Sequence, residues 1–205
     1  MSLIQLRRRD ALLSLAALGA MPVLAHTAAH PPLAAPAPPP GDSVYQLEAT
    51  LEDQDGRPFA LSSLQGVPVL ATMFYSSCDM VCPMIFETVH ATLRALPAAE
   101  RAQLRVLMVS VDPAHDSPAV LKKTAQAHGC NGQWVLARAD DATTRKVAAV
   151  LGIQYRQLAN GEYNHSSAID LLDRQGRITA RSGKLGPADP ALVAAVRKLQ
   201  AKRVT

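Results

Sequence analysis

Apolar and polar positions alternate through Tyr45-Gln-Leu-Glu-Ala-Thr-Leu51, then Asp55-Gly56 marks a turn and Phe59-Ala60-Leu61 resumes, which predicts an N-terminal hairpin. Val67 to Phe74 is a continuous apolar run and reads as a central buried strand. From Pro83 the period changes to that of a helix, with Ile85, Phe86, Val89, Leu93 and Leu96 keeping one face apolar. Arg105-Val-Leu-Met-Val-Ser-Val111 is a second buried strand. Ser117-Pro118 supplies an N-cap with proline in the first helical position, and that helix is expected to run to about His128, with Gly129 just past its end. A short strand precedes a helix capped by Asp140 or Asp141 and ending near Gly152. Ser167 to Leu172, the turn Asp173-Arg-Gln-Gly176 and Arg177 to Arg181 predict another hairpin, and Asp189-Pro190 opens the last helix.

A strand–helix–strand crossover followed by an antiparallel hairpin and a closing helix implies an α/β fold, a mixed sheet flanked by helices. This is the layout of a thioredoxin-like domain, with an N-terminal hairpin and a second inserted hairpin, and it is expected over residues 43–205. Ahead of it, six of the ten residues from 31 to 40 are proline, so 26–42 reads as an extended Pro/Ala-rich linker. Arg7 to Arg9, the apolar stretch Ala11 to Ala20 and Val23-Leu24-Ala25 have the charged, apolar and small-residue parts of an export signal, so 1–25 is read as one. The arginines also resemble a twin-arginine signal; an ordinary secretion signal and an uncleaved anchor are the alternatives. The expected location is periplasmic or on the outer face of the cytoplasmic membrane, with membrane proximity only through an uncleaved N-terminus.

Charge narrows the partners. Of the net +4, Arg7, Arg8 and Arg9 against Asp10 place +2 in the first 25 residues, leaving 18 basic against 16 acidic side chains beyond. Aromatic residues are 4% of the chain. A near-neutral domain with few stacking rings has no footprint for nucleic acid.

Candidate chemistry starts at Cys78-Asp-Met-Val-Cys82-Pro83, between the central strand and the first helix. Thiols at a helix N-terminus gain from its N–H groups and partial positive charge, which favour the thiolate needed for metal binding and for disulfide exchange. If both cysteines share a helical turn, their spacing permits either chemistry; two inert buried thiols are the plainer alternative. Two thiolates alone under-coordinate a soft metal, and His165, in Gly161-Glu-Tyr-Asn-His165-Ser-Ser, is the candidate third donor, with a polar loop residue as the alternative. Two thiolates with one imidazole suit Cu(I) and Cu(II). Met73 reads as core, Met80 as either core or soft ligand, and Met84 flanks the same site. His90 and His115 read as surface residues, His128 as a charge complementing a helix C-terminus, and Cys130 as a free thiol.

From Tyr45 onward the chain resembles the SCO/SenC family of copper proteins, which assist assembly of the dinuclear copper centre of cytochrome c oxidase. The matching stretches are Val69-Leu-Ala-Thr-Met-Phe-Tyr75 leading into Cys78-x-x-x-Cys82-Pro83, the strand ending Val109-Ser-Val-Asp112-Pro113, the Asp116-Ser117-Pro118 helix start, and His165-Ser166 before Ile169-Asp170-Leu-Leu-Asp173-Arg-Gln-Gly176. The resemblance implies that Cys78, Cys82 and His165 bind one copper ion, and that Asp112 supports them from behind. It also implies an exported chaperone whose partner is the copper-bearing oxidase subunit or another copper chaperone. Asp79 and Asn164 stand where the family usually has proline and aspartate; an uncharged Asn164 tunes the histidine less strongly than a carboxylate. The competing function is a thiol-disulfide oxidoreductase, in which Cys78 and Cys82 form a redox-active disulfide that reduces the cysteines of a metal-free copper site.

Overall fold

The strand Val69–Phe74 (β3) is buried at all six positions, and this central placement organises the rest. In this computed structural model, which describes residues 38–201, Arg105–Ser110 (β4) lies parallel to β3 in the register Val69 to Arg105 through Phe74 to Ser110. Trp134–Arg138 (β5) lies parallel to β4. Thr50–Asp53 (β1) and Pro58–Ala60 (β2) form the N-terminal hairpin and join antiparallel on the β5 side. On the other side come Ile169–Leu172 (β8) and Ile178–Ser182 (β9), both antiparallel, completing the order β2-β1-β5-β4-β3-β8-β9. The mixed sheet expected from the crossover pattern is therefore present. The proposed signal and all but the last residues of the linker lie outside the described residues.

Among the described residues five α-helices accompany the sheet: Val81–Arg94 (α1), the single turn Ala98–Arg101 (α2), Pro118–Ala127 (α3), Asp141–Val150 (α4) and Pro190–Ala201 (α5). Ser117 and Asp140 cap α3 and α4 by accepting the N–H groups of Val120 and Thr143, as their positions predicted. Helix α3 packs on β5 and β1, and α5 on β8 and β9. Phe86 of α1 meets Phe74 of β3 edge-on at 5.5 Å, which locks the helix to the central strand.

Four local expectations change. The alternating stretch from Tyr45 does not start as a strand: Val44–Gln46 is a 3-10 turn, and extended pairing begins only at Thr50. Ser43 accepts the Tyr45 N–H at 3.0 Å, and the buried Tyr45 ring lies against Gly176. Gly176 has φ 81°, and a Cβ there would collide with that ring. Second, α1 starts at Val81, so Cys82 lies in its first turn while Cys78 precedes it; the two do not share a helical turn. Third, Tyr155–Gln157 (β6) and Tyr163–His165 (β7) form a separate two-stranded sheet that pairs Tyr155 with His165. Fourth, the His128 ring stacks on Phe86 at 3.9 Å, and burial holds it below the ordinary histidine value; it is neutral where a charge was expected.

Candidate metal centre

The chain leaves β3 through Tyr75-Ser-Ser and reaches Cys78 in a turn that the end of β4 holds in place. Val111 N–H donates to the Phe74 carbonyl at 2.8 Å. Asp116, 1% exposed, accepts the Ser76 N–H at 3.2 Å, the Ser76 hydroxyl, and the Ser110 hydroxyl at 2.5 Å. This carboxylate thus fixes the loop two residues before the first cysteine.

The two thiols differ in environment. The Cys82 N–H donates to Cys78 Sγ at 3.3 Å. Burial would raise the half-buried Cys78, but hydrogen bonds from the backbone N–H groups of Cys82, Met80 and Val81 outweigh it and hold the thiol below its ordinary value. Cys82 lies inside the core, and burial pushes its thiol well up. Both are free thiols, as is Cys130, whose thiol burial pushes up to about 12.

His165 arrives at the end of β7, on a strand and not in a loop as expected. Its Nε2 is 3.6 Å from Cys82 Sγ, and its Nδ1 faces the Ser166 carbonyl at 3.2 Å. A proton on Nδ1, given to that carbonyl, leaves Nε2 with a lone pair toward the sulfur. Burial lowers the imidazole and outweighs the Ser166 bond, which raises it, favouring the neutral form that a ligand must have. Tyr75 walls the site: its ring meets His165 edge-on at 5.9 Å and its hydroxyl donates to the Tyr163 carbonyl at 3.3 Å. Burial, and then hydrogen bonding to Cys78, pushes that hydroxyl up to about 12.

A cavity of about 330 Å³ opens here, lined among others by Tyr75, Cys78, Met80, Tyr163, Asn164 and His165. Asp112 stands farther back, bonded to His115 Nδ1 at 2.9 Å and to the Tyr163 hydroxyl at 3.4 Å. It supports β7 through Tyr163, and its partner His115, exposed as expected, is raised by that carboxylate. Asn164 is exposed on the cavity rim, and the Ser166 carbonyl, not Asn164, orients the histidine. Met73 is fully buried core, whereas Met80 is 77% exposed and so is not core. Asp116, Tyr75 and Tyr163 went unremarked as site residues in the sequence.

The donor chemistry suits a soft ion. A separation of 3.6 Å is what a sulfur and a nitrogen, at about 2.3 and 2.0 Å from one ion, span at a roughly tetrahedral angle. Among the described residues no three Cys, His, Asp or Glu side chains already converge on one point. Cys82 and His165 lie within 3.6 Å of each other, while Cys78 Sγ accepts the Cys82 backbone N–H beside them.

A family model described as SCO1/SenC matches residues 39–200. The SCO1 protein homolog of Bacillus subtilis is 39% identical over 83 residues, which cover 40% of this chain and 42% of that protein, so the match spans about two fifths of the relative's length. The structure of Bradyrhizobium japonicum ScoI with copper bound is 27% identical with a TM-score of 0.61, covering 74% of this chain and 95% of that one. A SCO1/SenC family lipoprotein from Bacillus anthracis shares the fold at 23% identity and a TM-score of 0.67, covering 74% of this chain and 92% of its own. With the family pattern matched across the whole sheet and across the loop and strand that bear the two cysteines and the histidine, the chain belongs to the SCO1/SenC family.

Proposed function

We propose that this protein is an exported copper chaperone that binds one copper ion through Cys78, Cys82 and His165 and delivers it to the dinuclear copper site of a cytochrome c oxidase. The observation that carries the reading is the Cys82–His165 pair, 3.6 Å apart beside Cys78, in a family whose ScoI member holds copper. Cys78 presents a sulfur already favoured as thiolate, His165 presents the Nε2 lone pair, and Cys82 gives up its proton as metal arrives. The ion is cargo. Thiolate and imidazole accept both Cu(I) and Cu(II), and Tyr75 and Tyr163 shield one side while the cavity leaves the other open for a partner. The signal at 1–25, the linker at 26–42 and a periplasmic or membrane-surface location belong to the same proposal, as does an oxidase copper subunit or a second chaperone as partner.

The inequality of the two thiols favours a second reading, thiol-disulfide exchange. The Cys78 thiolate attacks a partner disulfide, releasing one partner thiolate and forming a mixed disulfide. Cys82 then loses its proton to water and attacks Cys78 Sγ, releasing the second partner sulfur as a thiolate that takes up a proton from water; two electrons pass from the pair to the partner as the pair's own disulfide forms. Copper per chain, measured on the reduced full-length protein and on Cys78→Ser, Cys82→Ser and His165→Ala, tests the first reading. One ion in the parent and none in the cysteine variants is expected. His165→Ala with weakened copper binding, retained disulfide exchange and lost oxidase assembly supports the chaperone; retained assembly supports the reductase.

A further inference from the structure

Among the described residues only three large apolar side chains are notably exposed, and two of them, Met80 at 77% and Met84 at 43%, sit together at the start of α1. Met80 occupies the N-cap position and Met84 follows four residues later, the spacing that places side chains on one face of a helix. The other two described methionines, Met73 and Met108, are fully buried in β3 and β4, where methionine fills core. A thioether at 77% exposure packs little, and it offers no hydrogen bond strong enough to hold the loop. What Met80 does have is position: it lines the same 330 Å³ cavity as Cys78 and His165, on the solvent side of the cysteines, with buried Cys82 behind them.

We propose that Met80 is an entry ligand for Cu(I): its thioether takes the ion at the mouth of the cavity and passes it inward to Cys78. This rests on the copper-binding reading of the cysteine–histidine site. Thioether sulfur is a soft, neutral donor that favours Cu(I) over harder ions. On entry a bond from copper to Met80 Sδ forms while one bond to the donor's ligand breaks. The ion stays Cu(I), no electron moves, and the thioether has no proton to release. In the inward step the bond from copper to Cys78 Sγ forms as the bond to Met80 Sδ breaks, and any proton still on Cys78 passes to water. Because neither step closes the buried coordination around Cys82, the outer ligand governs the rate of exchange more than the final affinity. Met84, one turn along α1, extends the soft surface away from the cavity and is the natural internal comparison.

The test uses the full-length chain carrying methyl-13C methionine. In a Cys78→Ser/Cys82→Ser variant, Ag(I), a diamagnetic probe for Cu(I), is expected to shift the Met80 methyl resonance while Met73 and Met108 stay in place. In parallel, the reduced parent and Met80→Leu take Cu(I) from a chromophoric chelator. Leucine keeps size and apolarity and removes the sulfur, so both chains are expected to reach the same copper content, with Met80→Leu several-fold slower. An unmoved Met80 methyl, a shift of Met84 alone, or equal transfer rates overturns the proposal. A parent that takes up no copper instead overturns the cysteine–histidine site on which the proposal rests.

Discussion

Replacing Asp116 by alanine tests how the cysteine loop is held. The carboxylate is 1% exposed and takes three donors, the N–H and hydroxyl of Ser76 and the hydroxyl of Ser110. Hydrogen bonds to a charged acceptor contribute about 1.5–3 kcal/mol each, so the gross loss lies near 5–9 kcal/mol. Ser76 is partly exposed, and water re-pairs both of its donors once the carboxylate is gone. Ser110 is fully buried, and its oxygen already accepts the Asp112 N–H at 2.9 Å, so its hydrogen has no equally good second direction. The net cost of Asp116→Ala is therefore set at about 3–4 kcal/mol, the stranded hydroxyl plus the space vacated. At roughly 2–4 °C per kcal/mol for a chain of this size, Tm falls by about 6–16 °C in calorimetry. Asp116→Asn keeps the shape and one acceptor oxygen and costs about 1–2 kcal/mol. In a double-mutant cycle, Ser110→Ala is expected to do less harm on the Asp116→Ala background than in the parent, because the stranded group is then removed. A Tm within about 2 °C of the parent for Asp116→Ala would refute the reasoning.

Other outcomes follow from the same geometry. Iodoacetamide labelling read by peptide mass mapping is expected to modify Cys78 first, with an inflection below the ordinary thiol value, while buried Cys82 lags; comparable rates at pH 7 would contradict the N–H cradle around Cys78. Cys130 keeps its proton in the fold up to about pH 12, whereas in the unfolded chain it ionises near 9, so its contribution is complete below about pH 9 and is lost as pH rises toward 12. Urea titrations at pH 8 and 10.5 should show a smaller alkaline loss in Cys130→Ala than in the parent, and an equal loss would count against burial as the cause. Gly176→Ala, forced into left-handed backbone against the Tyr45 ring, is expected to cost about 2–4 kcal/mol, while Gly183→Ala, with open space around its Cα, stays close to neutral in the same melts.

Much of this architecture was legible from period and punctuation. The apolar run ending at Phe74 and the Ser117-Pro118 and Asp140 caps each state a local preference that the fold keeps. The β6–β7 hairpin was not legible from apolar alternation, because three-residue strands such as Tyr155–Gln157 are too short to show a period. Asn160-Gly161 between them was the available signal, since that pair favours a tight hairpin turn. Asp116 was visible only as a residue before a helix cap; that it is buried beneath Ser76 and Ser110 depends on the parallel register of β3 and β4, which no local pattern encodes. His128 departs from the expected charge because burial, in part against Phe86 of another helix, lowers its imidazole, and packing between helices is not written in the local pattern at a helix end.

Cys82 and His165 stand 83 residues apart in sequence yet 3.6 Å apart in space. A copper ion held between them, as proposed, would be a removable cross-link that closes a loop embracing β4, β5 and the helices between, and would tie the separate β6–β7 sheet to the start of α1. An ion that binds the fold and not the unfolded chain would, at one hundred times Kd, stabilise the folded state by about 2.7 kcal/mol. On the proposed chaperone reading, handing the ion on would return that stabilisation at once, so the emptied protein would be the form more exposed to unfolding and proteolysis, and the cargo would set the lifetime of its carrier.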